Sequence, residues 1–266
     1  MIKTGDIPIM TEEGPTIKLA AYSTQGDRAE QQDSFGFVLH EQGGMAFICD
    51  GMGGQAGGAL AAEMVSEALR LAYDPTLPQK ACLEALLWAV RETDKRIFAL
   101  KDQGGEPLRA GSTLVLALVQ QGQLGWCSVG DSRAYLLREG ELAQFTRDQN
   151  YQAVLDEQLA RRLIGEDYYR QESARGEALI SYLGIGNLAL MDYSSLFFTL
   201  KPKDRILLIS DGLYRLLTRE EIEAILRDKE DPREALEALE QRAIQRGTEE
   251  DQLRDNTTVI LMVVKE

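Results

Sequence analysis

Four aspartates, each in a short motif at the end of an apolar run, constrain this chain more than any other feature. They are Asp33 in RAEQQDS, Asp50 in FICDGMGG, Asp211 in LLISDGL and Asp255 in RDNTTVILMVV. A carboxylate just past a buried strand is costly unless something compensates its charge. Because the four are spread over the whole length, we expect a fold that brings them to a common point. Hard divalent cations such as Mg2+ or Mn2+ favour such an all-oxygen cluster.

The composition fits one acidic domain and narrows its partners. Of 266 residues, 44% are hydrophobic, enough for one large core. The formal net charge of -14 argues against nucleic acid or an anionic membrane as a partner, because both need basic surfaces. Apolar stretches such as TLVLALV are too short to span a bilayer. Cys49, Cys82 and Cys127, all in apolar contexts, fit the reduced thiols of a cytoplasmic protein.

The order of periodic segments predicts an α+β fold. Hairpin-like connections between strands indicate antiparallel sheets, and two helix pairs can cover the outer faces of a sheet sandwich. The expected architecture is a four-layer αββα sandwich, two antiparallel sheets flanked by helix pairs. The predicted strands are 17–23, 34–40, 45–49, 113–119, 124–129, 134–138, 142–145, 194–200, 205–210 and 257–264, and the predicted helices are 57–73, 79–100, one that opens at Thr218 and one from Asp231 to about 245.

Two segments depart from this pattern. Residues 1–16 are polar and contain Gly and Pro, which predicts an N-terminal arm or an edge strand before a domain that spans 17–266. Residues 147–178 are dense in charge and lack the sheet periodicity, so we expect them to form a flap inserted on the core.

Glycines accompany the aspartates, and they have a chemical use. In Asp50-Gly51-Met52-Gly53-Gly54 they let the backbone turn sharply and bring a main-chain carbonyl toward the ion that Asp50 binds. Asp211 is followed by Gly212, and Asp255 precedes the last strand. Each motif alone also fits an ordinary turn, since Gly, Asp and Asn dominate turns. The recurrence of aspartate at three strand ends favours the metal site.

The same residues carry a family resemblance. From about Ala20 to Val264 the chain resembles the metal-dependent protein phosphatases of the PPM, or protein phosphatase 2C, family in their bacterial form. The resemblance implies the same αββα sandwich and hydrolysis of phosphoserine and phosphothreonine in proteins. The matching segments, in the family's order and approximate spacing, are GDRAEQQDS, FICDGMGG, AGSTLVLALV, SVGDSRAYLLREGEL, LKPKDRILLISDGL and DNTTVILMVV.

The resemblance also implies a binuclear site for two ions, Mn2+ or Mg2+. Asp50 would bridge the two metals, and the carbonyl of Gly51 would ligate one of them. Asp211 and Asp255 would ligate the other, while Asp33 would hold a metal-bound water.

Arg28 would clamp the substrate phosphate, a task that suits its planar fork of donors. A water between two divalent ions becomes a hydroxide nucleophile at neutral pH. It would attack phosphorus in line while the ions and Arg28 neutralise the developing charge. No side-chain nucleophile is required, which agrees with a single histidine, His40, outside every motif.

Asp131, in GDSRAY, matches the family position of a third, weaker metal. A charged hairpin turn in which Asp131 pairs with Arg133 is the alternative. Arg215 stands where the family often has an acid, and its charge is permanent. We therefore expect the third metal to be weak or absent, with Arg215 repelling the ion or pairing with Asp131. A triplet that usually contains histidine is here DQN, at 148–150.

Three other interpretations remain open. Cys127 and Arg133 have five residues between them, the spacing of cysteine-dependent phosphatases. That loop should lead into a helix that lowers the thiol pKa, whereas Arg133 leads into a predicted strand. A non-catalytic regulatory module would keep the fold, although an unused carboxylate cluster costs stability. Phosphatases that resemble the stage II sporulation E protein share the fold and the chemistry.

The expected partners follow from the phosphatase interpretation. They are a phosphorylated protein substrate, selected by the flap at 147–178, and a paired Ser/Thr kinase. We expect a monomer that binds neither nucleic acid nor membrane.

Overall fold

The structure is a computed structural model that describes residues 5–53 and 57–265. Gly54, the last residue of the first glycine motif, lies outside the described residues, as do residues 1–4 of the predicted arm. The strands are β1 (Ile7–Glu13), β2 (Ile17–Thr24), β3 (Asp33–His40), β4 (Gly43–Met52), β5 (Gly111–Ser112), β6 (Leu114–Gln120), β7 (Gln123–Val129), β8 (Arg133–Arg138), β9 (Glu141–Gln144), β10 (Asp192–Tyr193), β11 (Phe198–Thr199), β12 (Arg205–Ile209) and β13 (Thr257–Val264). The helices are α1 (Gly57–Ala72), α2 (Gln79–Phe98), α3 (Tyr151–Ala160), α4 (Glu166–Glu172), α5 (Asp211–Tyr214), α6 (Arg219–Asp228) and α7 (Pro232–Glu249).

These elements form the predicted αββα sandwich. One sheet has the order β1-β2-β13-β12-β8-β9, and the other has β10-β7-β6-β4-β3, with β11 beside β7 and β5 beside β4. Every neighbouring strand pair in the described residues is antiparallel. Helices α1 and α2 pack on the second sheet, and α5, α6 and α7 pack on the first. The α+β fold class is confirmed.

The central strands are apolar on both faces because each face meets a packed layer. In β4, Met45 and Phe47 face α1 and α2, whereas Ala46 and Ile48 face the other sheet. Strand side chains alternate between the two faces of a sheet. β4 therefore contributes side chains both to the core under α1 and α2 and to the core between the sheets. The same alternation in β13 sends Val259 toward α7.

The two irregular segments are tied to the core. β1 pairs with β2, so the described part of residues 1–16 forms an edge strand of the first sheet. At the start of the flap segment, Gln149 donates to the Ser128 carbonyl at 3.2 Å and accepts from the Gly130 amide at 3.1 Å. Gln149 is therefore held by the core, and the rest of 147–178 contains α3, whose Leu155 is fully buried, and α4.

One predicted strand is interrupted. Residues 194–200 were expected to be continuous, but only β11 within them is a strand. The Ser194 hydroxyl accepts a hydrogen bond from the Trp126 amide at 3.0 Å, which replaces a regular ladder contact. Among the described residues, the helices are all too short or too polar to cross a bilayer.

Asp94 fixes the loop formed by residues 184–188. It lies on α2 with 1% exposure, and its carboxylate accepts backbone hydrogen bonds from Gly184 at 2.8 Å, Gly186 at 3.0 Å and Leu188 at 3.2 Å. Hydrogen bonds to a charged group are stronger than neutral ones. The loop 184–188 is thus held by a single side chain.

Replacement of this carboxylate should be costly. In Asp94→Ala, three backbone amides lose their acceptor, and we expect a loss of roughly 3 kcal/mol or more in the free energy of unfolding. Urea denaturation measures it. The control is Glu92→Ala on the same helix, whose carboxylate makes only an exposed pair with Lys95; it should change stability by less than about 1 kcal/mol. Equal effects of the two variants would contradict the role of Asp94.

Candidate metal centre

Strand alternation brings the predicted site residues to one end of the gap between the sheets. In β4 the even-numbered residues Ala46 and Ile48 face that gap, and Asp50 continues the series. In β3, Asp33 lies opposite Asp50 in the strand register. Neighbouring residues in register lie on the same face of a sheet, so the two carboxylates share the gap.

Asp33 is held by hydroxyl groups from the other sheet. Its Oδ2 accepts from the Thr258 hydroxyl at 2.6 Å and from the Ser210 hydroxyl at 3.0 Å. Its Oδ1 is buried and has no hydrogen-bond partner among the described residues. Burial raises the pKa of Asp33 to about 7. Repulsion from Asp211 and Asp255 adds to this rise, and the hydrogen bonds from the two hydroxyl groups oppose it. A buried carboxylate with one uncommitted oxygen is suited to bind a proton, a water or a cation.

The chain at Asp50 and Gly51 is fixed by backbone contacts. The Asp50 amide donates to the Thr113 hydroxyl at 3.1 Å, and the Thr113 amide donates to the Asp50 carbonyl at 2.8 Å. A Cβ at residue 51 would lie 2.3 Å from the Gly58 carbonyl oxygen and 2.5 Å from that of Gln32. Glycine is required there for close packing against the first turn of α1.

One cleft of about 550 Å3 collects five of the seven predicted residues. Asp33 lies behind it, opposite Asp50, and Asp131 lines an adjoining cavity of about 680 Å3 that shares Asp50 and Asp211 with the cleft. The predicted residues that line the cleft are Arg28, Asp50, Gly51, Asp211 and Asp255.

The carboxylates disfavour one another's charge. Burial raises the pKa of Asp50 well above its usual range, and Asp33, Asp211 and Asp131 add to that effect. Burial raises the pKa of Asp211 to about 6, although Arg215 opposes the change. Like charges in a shared low-dielectric site cannot all ionise without a compensating cation.

Two arginines supply positive charge to this cluster. Arg28 Nη2 lies 2.5 Å from Asp255 Oδ2, on a side chain that is 60% exposed. Arg215 Nη2 lies 2.9 Å from Asp211 Oδ2 and 3.3 Å from Glu177 Oε2. Pairing of Arg215 with Asp131, one of the two outcomes expected for this side chain, is not observed, because the guanidinium reaches Asp211 one helical turn away.

Asp131, the residue predicted for a third metal, is buried and does not pair with Arg133 in a turn. Asp131 is 5% exposed, and burial raises its pKa, while a hydrogen bond with Tyr214 opposes the rise. Arg133 instead pairs with Asp148, whose Oδ2 lies 3.0 Å from Arg133 Nε and 2.6 Å from Nη2. The Arg133 Cζ atom also lies 3.5 Å from the centre of the Tyr214 ring. The alternative in which Asp131 and Arg133 close a turn is therefore not the observed arrangement.

The donor set fits divalent metals, although the side chains do not form a closed cage. Within residues 5–53 and 57–265, no three acidic, histidine or cysteine side chains converge closely enough to hold a metal ion as they stand. The Arg28 and Arg215 guanidinium groups engage two of the carboxylates instead. The all-oxygen donors, the uncommitted Asp33 Oδ1 and the uncompensated burial of Asp50 match what Mn2+ or Mg2+ requires.

Sequence reasoning missed three supporting residues. Ser210 and Thr258 hold Asp33, as described above. The Asn256 side-chain amide donates to the carbonyls of Gln25 and Glu30 at 2.9 and 3.0 Å, which shapes the loop that carries Arg28. A usable signal was present, because hydroxyl and amide residues adjoin the aspartates in the SDG and DNTT motifs.

Residues 22–255 match the family model described as protein phosphatase 2C. The serine/threonine phosphatase stp of Listeria monocytogenes is 30% identical over 225 residues, which cover 82% of this chain and 83% of that protein. The chain belongs to the protein phosphatase 2C family, as the motifs predicted.

Solved structures agree with this assignment. The crystal structure of the Mycobacterium tuberculosis serine/threonine phosphatase PstP/Ppp matches with a TM-score of 0.76 and 28% identity, covering 94% of this chain and 100% of that one. The catalytic domain of PstP in complex with two manganese ions matches with a TM-score of 0.75 and 28% identity, covering 94% of this chain and 99% of that one. These relatives favour a phosphoprotein phosphatase over a non-catalytic module.

The buried carboxylates should make the metal-free protein lose stability as pH rises. Asp33 has a folded pKa of about 7 and an unfolded value near 3.9, so only the folded state keeps the proton between those values. Its stabilising contribution is complete below about pH 4 and is lost as pH rises through 7, on the order of 2–4 kcal/mol. Urea unfolding in EDTA at several pH values measures the loss.

Asp33→Asn should remove the part of that pH dependence that Asp33 contributes, while Asp50 and Asp211, whose pKa values are also raised, keep theirs. The control is Asp167→Asn, which changes a fully exposed carboxylate on α4 and should leave the pH dependence as it is. A pH profile that is the same in Asp33→Asn and in the unmodified chain would contradict the assignment to Asp33.

Arg215 should compete with metal for Asp211. In Arg215→Ala we expect apparent Mn2+ affinity to rise about fivefold, since a partly buried ion pair is worth about 1 kcal/mol. In Arg215→Asp, the added acid should also raise the number of bound ions. Isothermal titration calorimetry measures both. The control, Arg219→Ala, removes an exposed arginine paired with Glu220. Unchanged affinity in Arg215→Ala would show that the pair does not oppose metal binding.

Proposed function

We propose that this phosphatase hydrolyses phosphoserine and phosphothreonine in proteins with two divalent ions, Mn2+ or Mg2+, in the cleft at Asp50. Asp50, the Gly51 carbonyl, Asp211 and Asp255 would hold them. The observation that carries the proposal is the single cleft that collects these residues with Arg28. When bound, the ions would lower the pKa of a water to neutral values and stabilise charge on the phosphoryl oxygens.

The chain's own residues have separate tasks in this proposal. Asp33, held by two hydroxyl groups, has Oδ1 uncommitted and can accept a hydrogen bond from the attacking water. Arg28 uses one nitrogen on Asp255, which leaves other guanidinium donors for phosphate oxygens.

The remaining assignments are also proposals. The segment from 151 to 178 would select the protein substrate, because Glu177 at its end lines the 680 Å3 cavity beside Asp50. We propose one phosphatase domain that acts as a cytoplasmic monomer, opposite a Ser/Thr kinase. Asp131 would bind a third ion weakly, if at all.

Cysteine chemistry is disfavoured by the surroundings of Cys127. The residue is buried in β7, and burial raises the pKa of its thiol to about 12. Arg133 begins strand β8 and pairs with Asp148. No helix N-terminus follows this loop to stabilise a thiolate.

Metal dependence is the direct test. The purified chain should hydrolyse p-nitrophenyl phosphate and a phosphothreonine peptide, lose activity in EDTA and regain it with Mn2+. Asp50→Ala should lose both turnover and Mn2+ binding by calorimetry. Activity that survives EDTA but is lost with iodoacetamide would instead support Cys127, and near-normal turnover in Asp50→Ala would refute the site.

Arg28 should contribute to substrate binding without holding metal. Arg28→Ala should lose about 1.5–3 kcal/mol in kcat/KM on a phosphopeptide, with Mn2+ affinity kept or raised because Asp255 is released. Arg28→Lys should recover part of the loss, because lysine keeps the positive charge but lacks the planar guanidinium that binds two phosphate oxygens at once. The control Arg161→Ala removes an exposed arginine on the flap side. Unchanged kinetics in Arg28→Ala would show that the side chain does not meet substrate.

A further inference from the structure

A separate cavity, of about 310 Å3, lies between the outer face of the first sheet and α7. Tyr22 and Thr257 line it from the strands, Glu240 and Ile244 from α7, and Leu216 from the α5–α6 connection. Its volume is at the lower end of the range for small-molecule sites. None of the proposed metal ligands lines it.

Tyr22, which lines this cavity, has a buried hydroxyl without a partner among the described residues. The residue is 1% exposed, and its hydroxyl has no hydrogen-bond partner among the residues that the structure describes. Burial raises the pKa of Tyr22, with Glu240 adding to the effect, so the hydroxyl stays protonated. Buried hydroxyl groups of folded proteins are normally hydrogen-bonded.

Glu240 faces the same space without a countercharge. Burial raises the pKa of Glu240, and the nearby acids Asp6 and Glu237 add to that effect. In the described part of the chain, Glu240 makes no ion pair. The cation at the cavity wall, Arg254, is engaged by Asp27, at 3.1 Å through Nε and 2.9 Å through Nη2.

We propose that this cavity binds a primary alkylammonium group. The ammonium would donate to the Glu240 carboxylate and to the Tyr22 hydroxyl oxygen, while the alkyl stem packs on Leu216 and Ile244. A bare divalent ion fits less well, because the lining offers two carboxylates, Asp6 and Glu240, together with the apolar Leu216, Ala243 and Ile244. The group can come from a free amine or from a lysine side chain of another protein.

The cavity adjoins the loop that carries Asp255. The Thr257 hydroxyl, at the cavity floor, donates to the Asp255 carbonyl at 3.1 Å. Gly26, also at the cavity, has φ +60, and a Cβ there would lie 2.3 Å from the same carbonyl. A bound ammonium group therefore stiffens the loop beside the metal cleft. This kinetic consequence, unlike the binding itself, rests on the proposed function.

Calorimetric titration of butylammonium chloride into the full chain, in a buffer free of primary amines, tests the site. We expect saturable binding of one ligand, weakened at least about fivefold in Glu240→Gln and in Tyr22→Phe. The control Glu234→Gln makes the same charge change on an exposed residue of α7 and should bind as the unmodified chain does. Both site variants keep side-chain volume, and circular dichroism checks their folding.

Several outcomes would overturn the proposal. They are a lack of saturable binding in the millimolar range, equal binding of neutral 1-butanol, and binding that Glu240→Gln leaves unchanged. N-acetyl-lysine methylamide distinguishes the two sources: tighter binding than butylammonium indicates a lysine of a protein partner, and weaker binding indicates a free amine.

Turnover of p-nitrophenyl phosphate tests the link to the metal cleft. Saturating butylammonium should change kcat in the unmodified chain and not in Glu240→Gln. Binding by calorimetry with no change in kcat would refute the link through Thr257 while the site itself stands. Absence of any phosphatase activity would refute the proposed function and leave the calorimetric result unaffected.

Discussion

The antiparallel register of β3 on β4 places Asp33 opposite Asp50 in the gap between the sheets, and the rest of the site depends on it. A slip of β3 by one residue would turn Asp33 away from the gap while Asp50 stayed in it. That register is strongly determined, because the alternating residues Phe47 and Ile48 must each enter a different core. Core packing, rather than any contact between the acids, therefore sets the position of two carboxylates that repel each other.

The repulsion has to be offset, and the two arginines offset part of it. A guanidinium carries a permanent charge. The Arg28–Asp255 pair is largely exposed and contributes little to stability. Arg215 is more enclosed and also contacts Glu177 at the end of the flap segment. A cation that bound Asp211 would have to compete with that contact, so Arg215 physically connects Asp211 to Glu177.

Local signals explain what the sequence could predict. The predicted bounds of β13 agree with the structure, and the capping box of Thr218 and Glu221 was readable because both residues lie within one turn. The aspartate motifs each follow or precede a buried strand, so their convergence follows from a sandwich in which strand ends meet.

Contacts between distant elements explain what could not be predicted. Asp33 is separated from Ser210 by 177 residues and from Thr258 by 225, and their hydrogen bonds exist only after the two sheets pack. An isolated Asp94 in a helix resembles a surface residue until the loop 184–188 folds over it. Whether Arg215 pairs with Asp131 or with Asp211 depends on the conformation of its flexible side chain, and the position of the residue in the sequence does not determine that conformation.

The division of the site into two spaces suggests how chemistry and selectivity are separated. The cleft with Arg28 and Asp255 is polar and presents charged groups for a phosphate. The adjoining cavity includes Leu179 and Tyr182 and suits the less polar remainder of a substrate. Asp50 and Asp211 lie where the two spaces meet. Their positions are set by β4 and by the end of β12, so in the proposed function the scaffold would carry the chemistry and the segment that ends near Glu177 would carry the choice of substrate.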